Sequence, residues 1–201
     1  MKRLFDFTAA LFGLLLVLPL FAGISLLILL QGDGPVFFTQ IRIGRYLKPF
    51  VLYKFRSMRP SLSAGDLQIT TADNPRITPL GRVLRRTKLD ELPQLLNVLK
   101  GDMSLVGPRP EVRRFVSLYR EEFRRVLQIR PGITDPASLE SINEELELQN
   151  QTDPERYYLE VLLPHKLRVS LAYAERATLW TDLGLVMRTL GTLLGGHRKR
   201  P

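Results

Sequence analysis

The sequence predicts a mainly α fold with a few short β-strands (α+β). It pairs an N-terminal re-entrant membrane helix over residues 1–33 with a compact domain over residues 34–201 that carries interfacial amphipathic helices. Three observations lead there. No charged residue occurs between Asp6 and Asp33, and that run exceeds the roughly 20 apolar residues a membrane span needs. Basic residues stand on both sides of it. Beyond it, apolar residues recur mostly at helical spacing, with only two short β-branched and aromatic runs.

The membrane segment is too long for the apolar stretch of a signal peptide, which runs to about 7–15 residues. Lys2 and Arg3 precede it, and Arg42, Arg45, Lys48, Lys54, Arg56 and Arg59 follow with no acid between Asp33 and Asp66. Positive charge favours the cytoplasmic face, so both ends are drawn to the same side. A helix that enters, breaks and returns satisfies both ends; a straight span satisfies one. Pro19 supplies the break, since proline removes a helical hydrogen bond and crowds the preceding turn.

The elements after it follow in order. Pro35-Val-Phe-Phe-Thr and Pro49-Phe-Val-Leu-Tyr-Lys-Phe read as strands bounded by Gly and Pro. Residues 61–76 are polar and read as a loop. A short helix carrying Arg82, Arg85 and Arg86 is expected over residues 78–87. Residues 89–100 read as a helix with Asp90 as N-cap, Glu91 in the first turn, Pro93 tolerated there and Gly101 as its stop. Residues 111–129 read as a further helix, basic on one face, and Arg130-Pro-Gly as a turn. Residues 135–155 are acidic without Lys or Arg. A helix over 157–177, interrupted near Pro164, leads to an amphipathic helix over 179–194 with Trp180 near its start. Its apolar face suits either a membrane interface or the domain core.

Composition narrows the chemistry. The chain has 201 residues, 29 Lys plus Arg against 20 Asp plus Glu, a formal net charge of +9, no cysteine and two histidines. Disulfide scaffolds, cysteine nucleophiles and Cys-ligated zinc are excluded, and a multi-histidine metal site or Ser-His-Asp triad is disfavoured. The basic excess implies an anionic partner, whether nucleic acid, membrane surface or phosphorylated substrate. No Walker or Rossmann glycine pattern is present, which disfavours a P-loop NTPase or a dinucleotide enzyme.

Two segments could carry phosphate chemistry. Asp90 and Glu91 lie side by side at an expected helix start, five residues beyond Arg85. An ionised Asp can attack phosphorus and form an acyl phosphate, and paired carboxylates suit Mg²⁺ together with substrate phosphates. The same two residues would equally serve as cap and dipole partner of the helix. In Gly107-Pro-Arg-Pro, prolines on both sides hold Arg109 extended, a stiff presentation of one guanidinium for a phosphate or for solvent. In Tyr53-Lys-Phe-Arg-Ser-Met, strand alternation places Lys54 and Arg56 on one face.

Taken together the chain resembles the small monotopic phosphoglycosyl transferases of the bacterial sugar transferase family. The matching segments are Lys2-Arg-Leu-Phe-Asp-Phe, Pro35-Val-Phe-Phe-Thr-Gln, Tyr53-Lys-Phe-Arg-Ser-Met, the long block from Leu89-Asp-Glu-Leu-Pro-Gln to Gly107-Pro-Arg-Pro, and Arg130-Pro-Gly-Ile-Thr. The resemblance implies transfer of a sugar 1-phosphate from a UDP-sugar to polyprenyl (undecaprenyl) phosphate with release of UMP, initiating glycoconjugate biosynthesis. It implies a ping-pong route through a covalent Asp–phosphosugar, with Mg²⁺ as cofactor. Carried over residue by residue, Asp90 is the nucleophile and Glu91 its partner, both at the metal. Arg109, Arg85 and Lys54 bind substrate phosphate, and Asp102 is a supporting carboxylate. It also implies a monotopic enzyme on the cytoplasmic face of the bacterial inner membrane, with phospholipid as neighbour, no nucleic-acid partner and a homodimer left open. Two departures stand out. The family helix commonly breaks at Ser-Pro where this chain has Leu18-Pro19, and a Gly-Trp-Ala-Gln type segment is replaced by Thr134-Asp-Pro-Ala-Ser. The competing expectation is a membrane-anchored, non-catalytic basic scaffold for anionic lipid or nucleic acid.

Overall fold

The fold is drawn from a computed structural model. It describes residues 1–32, 34–60, 71, 73–140 and 144–194. The loop expected over 61–76 and the basic C-terminal end fall largely outside the described residues.

The charge-free run forms a single helix, α1 (Lys2–Leu30), which stays helical through Pro19. At about 1.5 Å per residue it is long enough to enter or cross a membrane. Its buried residues lie near its two ends, and Phe21 adds ring contacts with Phe37 and Phe55. Asp6 and Ala10 are buried near the start and Ile24 and Ile28 near the finish, whereas nothing from Leu11 to Gly23 is buried. Exposed Leu11, Phe12, Leu15, Leu16, Leu18 and Leu20 cover the middle.

The two expected strands pair as an antiparallel hairpin, β1 (Phe37–Ile43) with β2 (Pro49–Phe55), in which Phe38 faces Lys54 and Arg42 faces Phe50. The first strand runs further than its aromatic start indicated: Arg42 donates to Gln40 Oε1 within the strand and to Pro110 O outside it, so the polar half of the strand is also held. The expected helix over 78–87 is α2 (Pro79–Arg86), capped by the Thr78 hydroxyl, which accepts from Gly81 N at 2.9 Å.

Three expectations are corrected. Residues 89–100 are not one helix capped by Asp90. They form a 3-10 turn (Leu89–Glu91) and then α3 (Gln94–Lys100). Pro93 lacks the N–H needed to continue one turn into the next, and Asp90 lies inside the turn with its side chain free for other partners. The helix over 111–129 is two, α4 (Arg113–Leu118) and α5 (Arg120–Val126), parted at Tyr119, whose backbone is not helical. That break lets Phe115, Phe123 and Val126 all face one core. Arg130-Pro-Gly is not a turn but the entry to β4 (Gly132–Thr134), which runs parallel to β3 (Ser104–Val106).

The acidic segment contributes α6 (Pro136–Glu140) and α7 (Glu144–Gln149). Next come α8 (Pro154–Tyr157), a π-type turn over Tyr158–Leu162 and α9 (Leu163–Arg176). The expected irregularity is present one turn before Pro164, where the ring leaves a carbonyl without its N–H. The last helix, α10 (Leu179–Leu194), has the expected bounds.

The larger apolar core joins α4, α5 and α9 around Phe115, Phe123, Leu163 and Leu167. Two smaller clusters attach α1. Ala10 packs with Leu52, Val98 and Met103, and Ile24 and Ile28 pack with Phe55 and Leu84. Polar contacts reinforce both attachments. Lys2 pairs with Asp182 of α10, and Arg3 donates to the last carbonyls of α3 at Val98 and Leu99. Buried Asp6 accepts from Ser104 Oγ at 2.9 Å and Leu105 N at 3.2 Å, and Arg56 donates to Ile28 O at 3.2 Å.

Candidate functional site

Asp90 and Glu91 are set by the turn that carries them. Lys88 enters it with φ of +58°, a left-handed conformation that reverses the chain after α2. Leu89 and Leu92 then pack against the Ile24, Ile28, Phe55 and Leu84 cluster. With the apolar residues of the turn committed to that cluster, the two carboxylates between them face Lys54. The approach is close enough that a Cβ on Gly81 would stand 1.8 Å from Ser57 O, so only glycine lets α2 dock there.

Lys54 and Arg109 converge on Glu91 from opposite parts of the chain. Lys54 Nζ lies 2.7 Å from Glu91 Oε1 and 3.9 Å from Asp90 Oδ2. Arg109 Nη2 lies 3.1 Å from the same Glu91 oxygen. The stiffness expected of Pro108-Arg-Pro110 is built by neighbours on each side. Gly132 N donates to Pro108 O at 3.0 Å, Arg42 Nη1 to Pro110 O at 3.2 Å and Ile43 N to Glu111 O at 2.9 Å. β3 and β4 cross so tightly that a Cβ on Gly132 would lie 2.0 Å from Gly107 N.

Both carboxylates are buried, Asp90 at 5% and Glu91 at 8% exposure. Their electrostatics diverge. Burial disfavours the ionised form of Glu91, but Lys54, Arg109 and Lys88 outweigh it, holding the group well below the usual carboxylate range. Burial likewise pushes the Asp90 carboxyl up; Lys54 opposes that and the Glu91 charge adds to it. Asp90 Oδ1 is buried without a hydrogen-bond partner. A desolvated, unsatisfied carboxylate oxygen beside a carboxylate neutralised by two cations can accept a cation or attack an electrophile. It also fits Mg²⁺, a hard ion that binds through one or two carboxylates and completes its shell from substrate phosphates. Among the described residues, no cluster of three or more His, Asp or Glu forms a self-sufficient metal cage.

The remaining expected residues divide. Arg85 lies beside the pair, its Nη1 3.8 Å from Met58 Sδ, and its charge favours the ionised form of Asp90. Asp102 does not join them. It sits past α3 and accepts from Asn97 Nδ2 at 3.4 Å.

Sequence reasoning missed the groups behind the site. Fully buried Asn97 donates to Val51 O at 2.7 Å and accepts from Tyr53 N at 3.1 Å, pinning α3 to β2 next to Lys54. Buried Glu111 accepts from Arg42 at 3.1 Å and from Tyr158 Oη at 2.6 Å. Asp135 is buried beyond Arg109, where it caps α6 through Ser138 and Ala137. The acid directly after Pro-Arg-Pro was the one visible signal for Glu111. Nothing in the order of residues joined it to Arg42.

Comparison with known proteins shows the family to which the chain belongs. The profile of the bacterial sugar transferase family matches residues 1–196. The uncharacterized sugar transferase EpsL of Bacillus subtilis is 46% identical over 144 residues, covering 71% of this chain and 70% of that protein. The UDP-N-acetylgalactosamine-undecaprenyl-phosphate N-acetylgalactosaminephosphotransferase of Aeromonas hydrophila is 36% identical over 204 residues, covering 99% of this chain and 45% of that protein. The UDP-glucose:undecaprenyl-phosphate glucose-1-phosphate transferase of Caulobacter vibrioides is 36% identical over 199 residues, covering 96% and 69%. With the match running through α1, the Asp90–Glu91 turn and Arg109, this chain belongs to the bacterial sugar transferase family, the undecaprenyl-phosphate sugar-1-phosphate transferases.

Proposed function

We propose that Asp90 is the nucleophile of a two-step transfer of sugar 1-phosphate from a UDP-sugar to undecaprenyl phosphate. The overall reaction, which initiates polysaccharide biosynthesis, is that of the family. The observation that carries the covalent route is Asp90 Oδ1, buried and unpartnered while Glu91 is clamped by two cations.

In the first step Asp90 Oδ1 attacks the sugar-bearing phosphorus of the UDP-sugar. The Oδ1–P bond forms, the P–O bond to the bridging oxygen breaks, and UMP leaves with that oxygen. In the second step an oxygen of undecaprenyl phosphate attacks the same phosphorus. The Asp90–phosphate bond breaks, giving undecaprenyl-diphospho-sugar and free Asp90. Lys54 and Arg109 neutralise the charge developing on the phosphoryl oxygens, with Arg85 behind Asp90. Glu91 holds both cations in place. Asp90 with Glu91 would hold Mg²⁺, which when bound supplies charge neutralisation for the diphosphate.

The setting we infer is monotopic, with α1 as a re-entrant helix bent at Pro19 and the domain on the cytoplasmic face. Lys2, Arg3 and Asp6 at one end of α1 and Phe21, Ile24 and Ile28 at the other all contact one domain, and the apolar side chains from Leu11 to Leu20 are largely exposed. A helix crossing the bilayer would carry one of those ends away from the domain. On α10, exposed Leu179, Trp180, Leu183 and Met187 form an apolar stripe suited to the lipid interface.

The test is UMP release from a UDP-sugar in the presence of undecaprenyl phosphate and Mg²⁺. The native chain turns over, and the Asp90→Asn chain, with its fold intact by circular dichroism, loses at least about 10³-fold of the rate.

A further inference from the structure

Between α9 and α10 lies an open groove of about 470 Å³ that the transferase site does not use. Its walls are apolar, including Val169, Ala172 and Leu185, and a guanidinium stands toward each end, Arg176 near the α9–α10 loop and Arg188 about two turns along α10. No Asp or Glu lines it, and among the described residues neither guanidinium has an acidic partner. At 3.6 residues per turn, Gly184 and Arg188 lie next to the exposed stripe of Trp180, Leu183 and Met187, on the side turned toward α9. The groove thus opens beside the apolar surface of α10.

Its floor is Tyr173, whose hydroxyl donates to Asp182, and Asp182 in turn holds Lys2 at the start of α1. The groove therefore lies against the joint between α10 and the membrane helix.

We infer that this groove binds an anionic glycerophospholipid, one acyl chain along the apolar walls and the phosphodiester on Arg176 or Arg188. The inference rests on the membrane setting given above for α1 and α10. Apolar walls with cations and no acids match a negatively charged lipid and discriminate against a zwitterionic one, whose amine finds no carboxylate. The occupant is a non-reacting lipid and not the acceptor. The acceptor phosphate must reach Asp90 Oδ1, and the cations acting on Asp90 are Lys54, Arg85 and Lys88, with Arg109 on Glu91, rather than Arg176 or Arg188. A lipid held there props the α9–α10 hairpin against the first turn of α1.

Gly184 provides a selective test, because a Cβ there meets nothing within 4 Å. Gly184→Leu adds an apolar side chain at the groove, and Arg176→Gln with Arg188→Gln removes its charge. The full chain is reconstituted in phosphatidylcholine vesicles with and without phosphatidylglycerol. Bound phosphatidylglycerol is measured by quantifying lipid retained on detergent extraction, alongside the melting temperature and UMP release. The native chain retains phosphatidylglycerol over phosphatidylcholine and melts higher in its presence. Both variants lose that preference by about tenfold, stay on the vesicles through α1 and release UMP as before in phosphatidylcholine. Unchanged phosphatidylglycerol retention in both variants would overturn the assignment, as would no preference in the native chain. A raised KM for undecaprenyl phosphate in the variants would assign the groove to the acceptor instead and also overturn it. Failure of the native chain to release UMP, with phosphatidylglycerol still retained, counts against the transferase reading alone.

Discussion

Lys54 Nζ stands 2.7 Å from Glu91 Oε1 and 3.9 Å from Asp90 Oδ2, so one ammonium group serves two adjacent buried carboxylates unequally. The nearer carboxylate takes two cations on one oxygen, Oε1, whereas the further one keeps a buried oxygen, Oδ1, without a partner. From this asymmetry come distinct roles for two residues that look interchangeable in sequence.

Replacing Lys54 by Met removes the main group favouring ionised Asp90. The pKa of Asp90 then rises further, and the active, ionised form is lost at a higher pH as the solution is acidified. In a pH profile of kcat/KM the acid limb moves to higher pH, and the plateau falls about 10²-fold because a phosphate-neutralising cation is also gone. Lys54→Arg restores part of both. An unmoved acid limb would remove Lys54 from contact with Asp90.

Glu91→Gln acts in the opposite direction on the same limb. The Glu91 charge raises the Asp90 pKa, so deleting it lowers that pKa. Lys54 and Arg109, freed from Glu91, turn to Asp90 and lower it further. The acid limb shifts to lower pH while kcat falls, since both cations lose their anchor. Steady-state rates across the acid range separate this from a simple loss of folded protein, which lowers the plateau without moving the limb.

Glu111 positions Arg109 without touching it. Its carboxylate holds Arg42, and Arg42 holds Pro110 O. Glu111→Gln leaves Arg42 without a counter-charge and costs about 2 kcal/mol of stability, less than a fully buried pair because Arg42 keeps some contact with water. Thermal denaturation reads that cost. The kinetic signature is a rise in KM for the UDP-sugar at temperatures where the variant remains folded.

Gly132→Ala places a methyl against Gly107 N, where the backbone cannot yield cheaply. The expected loss is about 3 kcal/mol, with misplacement of Arg109 and a corresponding fall in kcat/KM. Gly191→Ala on α10, where a Cβ meets nothing within 4 Å, is the matched control and leaves melting temperature and activity unchanged or slightly improved.

Much of this was legible from the order of residues because the signals were local. The charge-free run gave α1, Thr78-Pro79 gave the start of α2, and the proline pair around Arg109 gave a stiff presentation. The Asp-Glu pair and Lys54 were identified by chemistry and by resemblance to a family. What was not legible depends on distant partners. Arg42 read as one of several topology-setting charges, yet it is largely spent on Glu111. Asp182 and Lys2 meet across 180 positions. β3 and β4 have three residues each, too few for any alternation to show, so Arg130-Pro-Gly read as a turn when it is the lead-in to a strand. Tyr119 broke a helix whose apolar spacing gave no warning, because the break serves packing in the shared core. Resemblance to the family makes Asp102 a supporting carboxylate, yet after the left-handed residue Gly101, with φ of +92°, it accepts from Asn97 instead of meeting the Asp90–Glu91 pair.

The central claim is that Asp90 carries the phosphosugar. The direct measurement is intact-protein and peptide mass spectrometry after the chain is mixed with Mg²⁺ and a UDP-sugar labelled in the sugar-bearing phosphate, with undecaprenyl phosphate omitted. The account predicts one equivalent of UMP released per chain, a mass gain equal to the sugar phosphate on the peptide containing Asp90, its discharge on adding undecaprenyl phosphate, and no adduct in Asp90→Asn. A native chain that forms product only when both substrates are present, without an adduct and without UMP release before the acceptor is added, would contradict it.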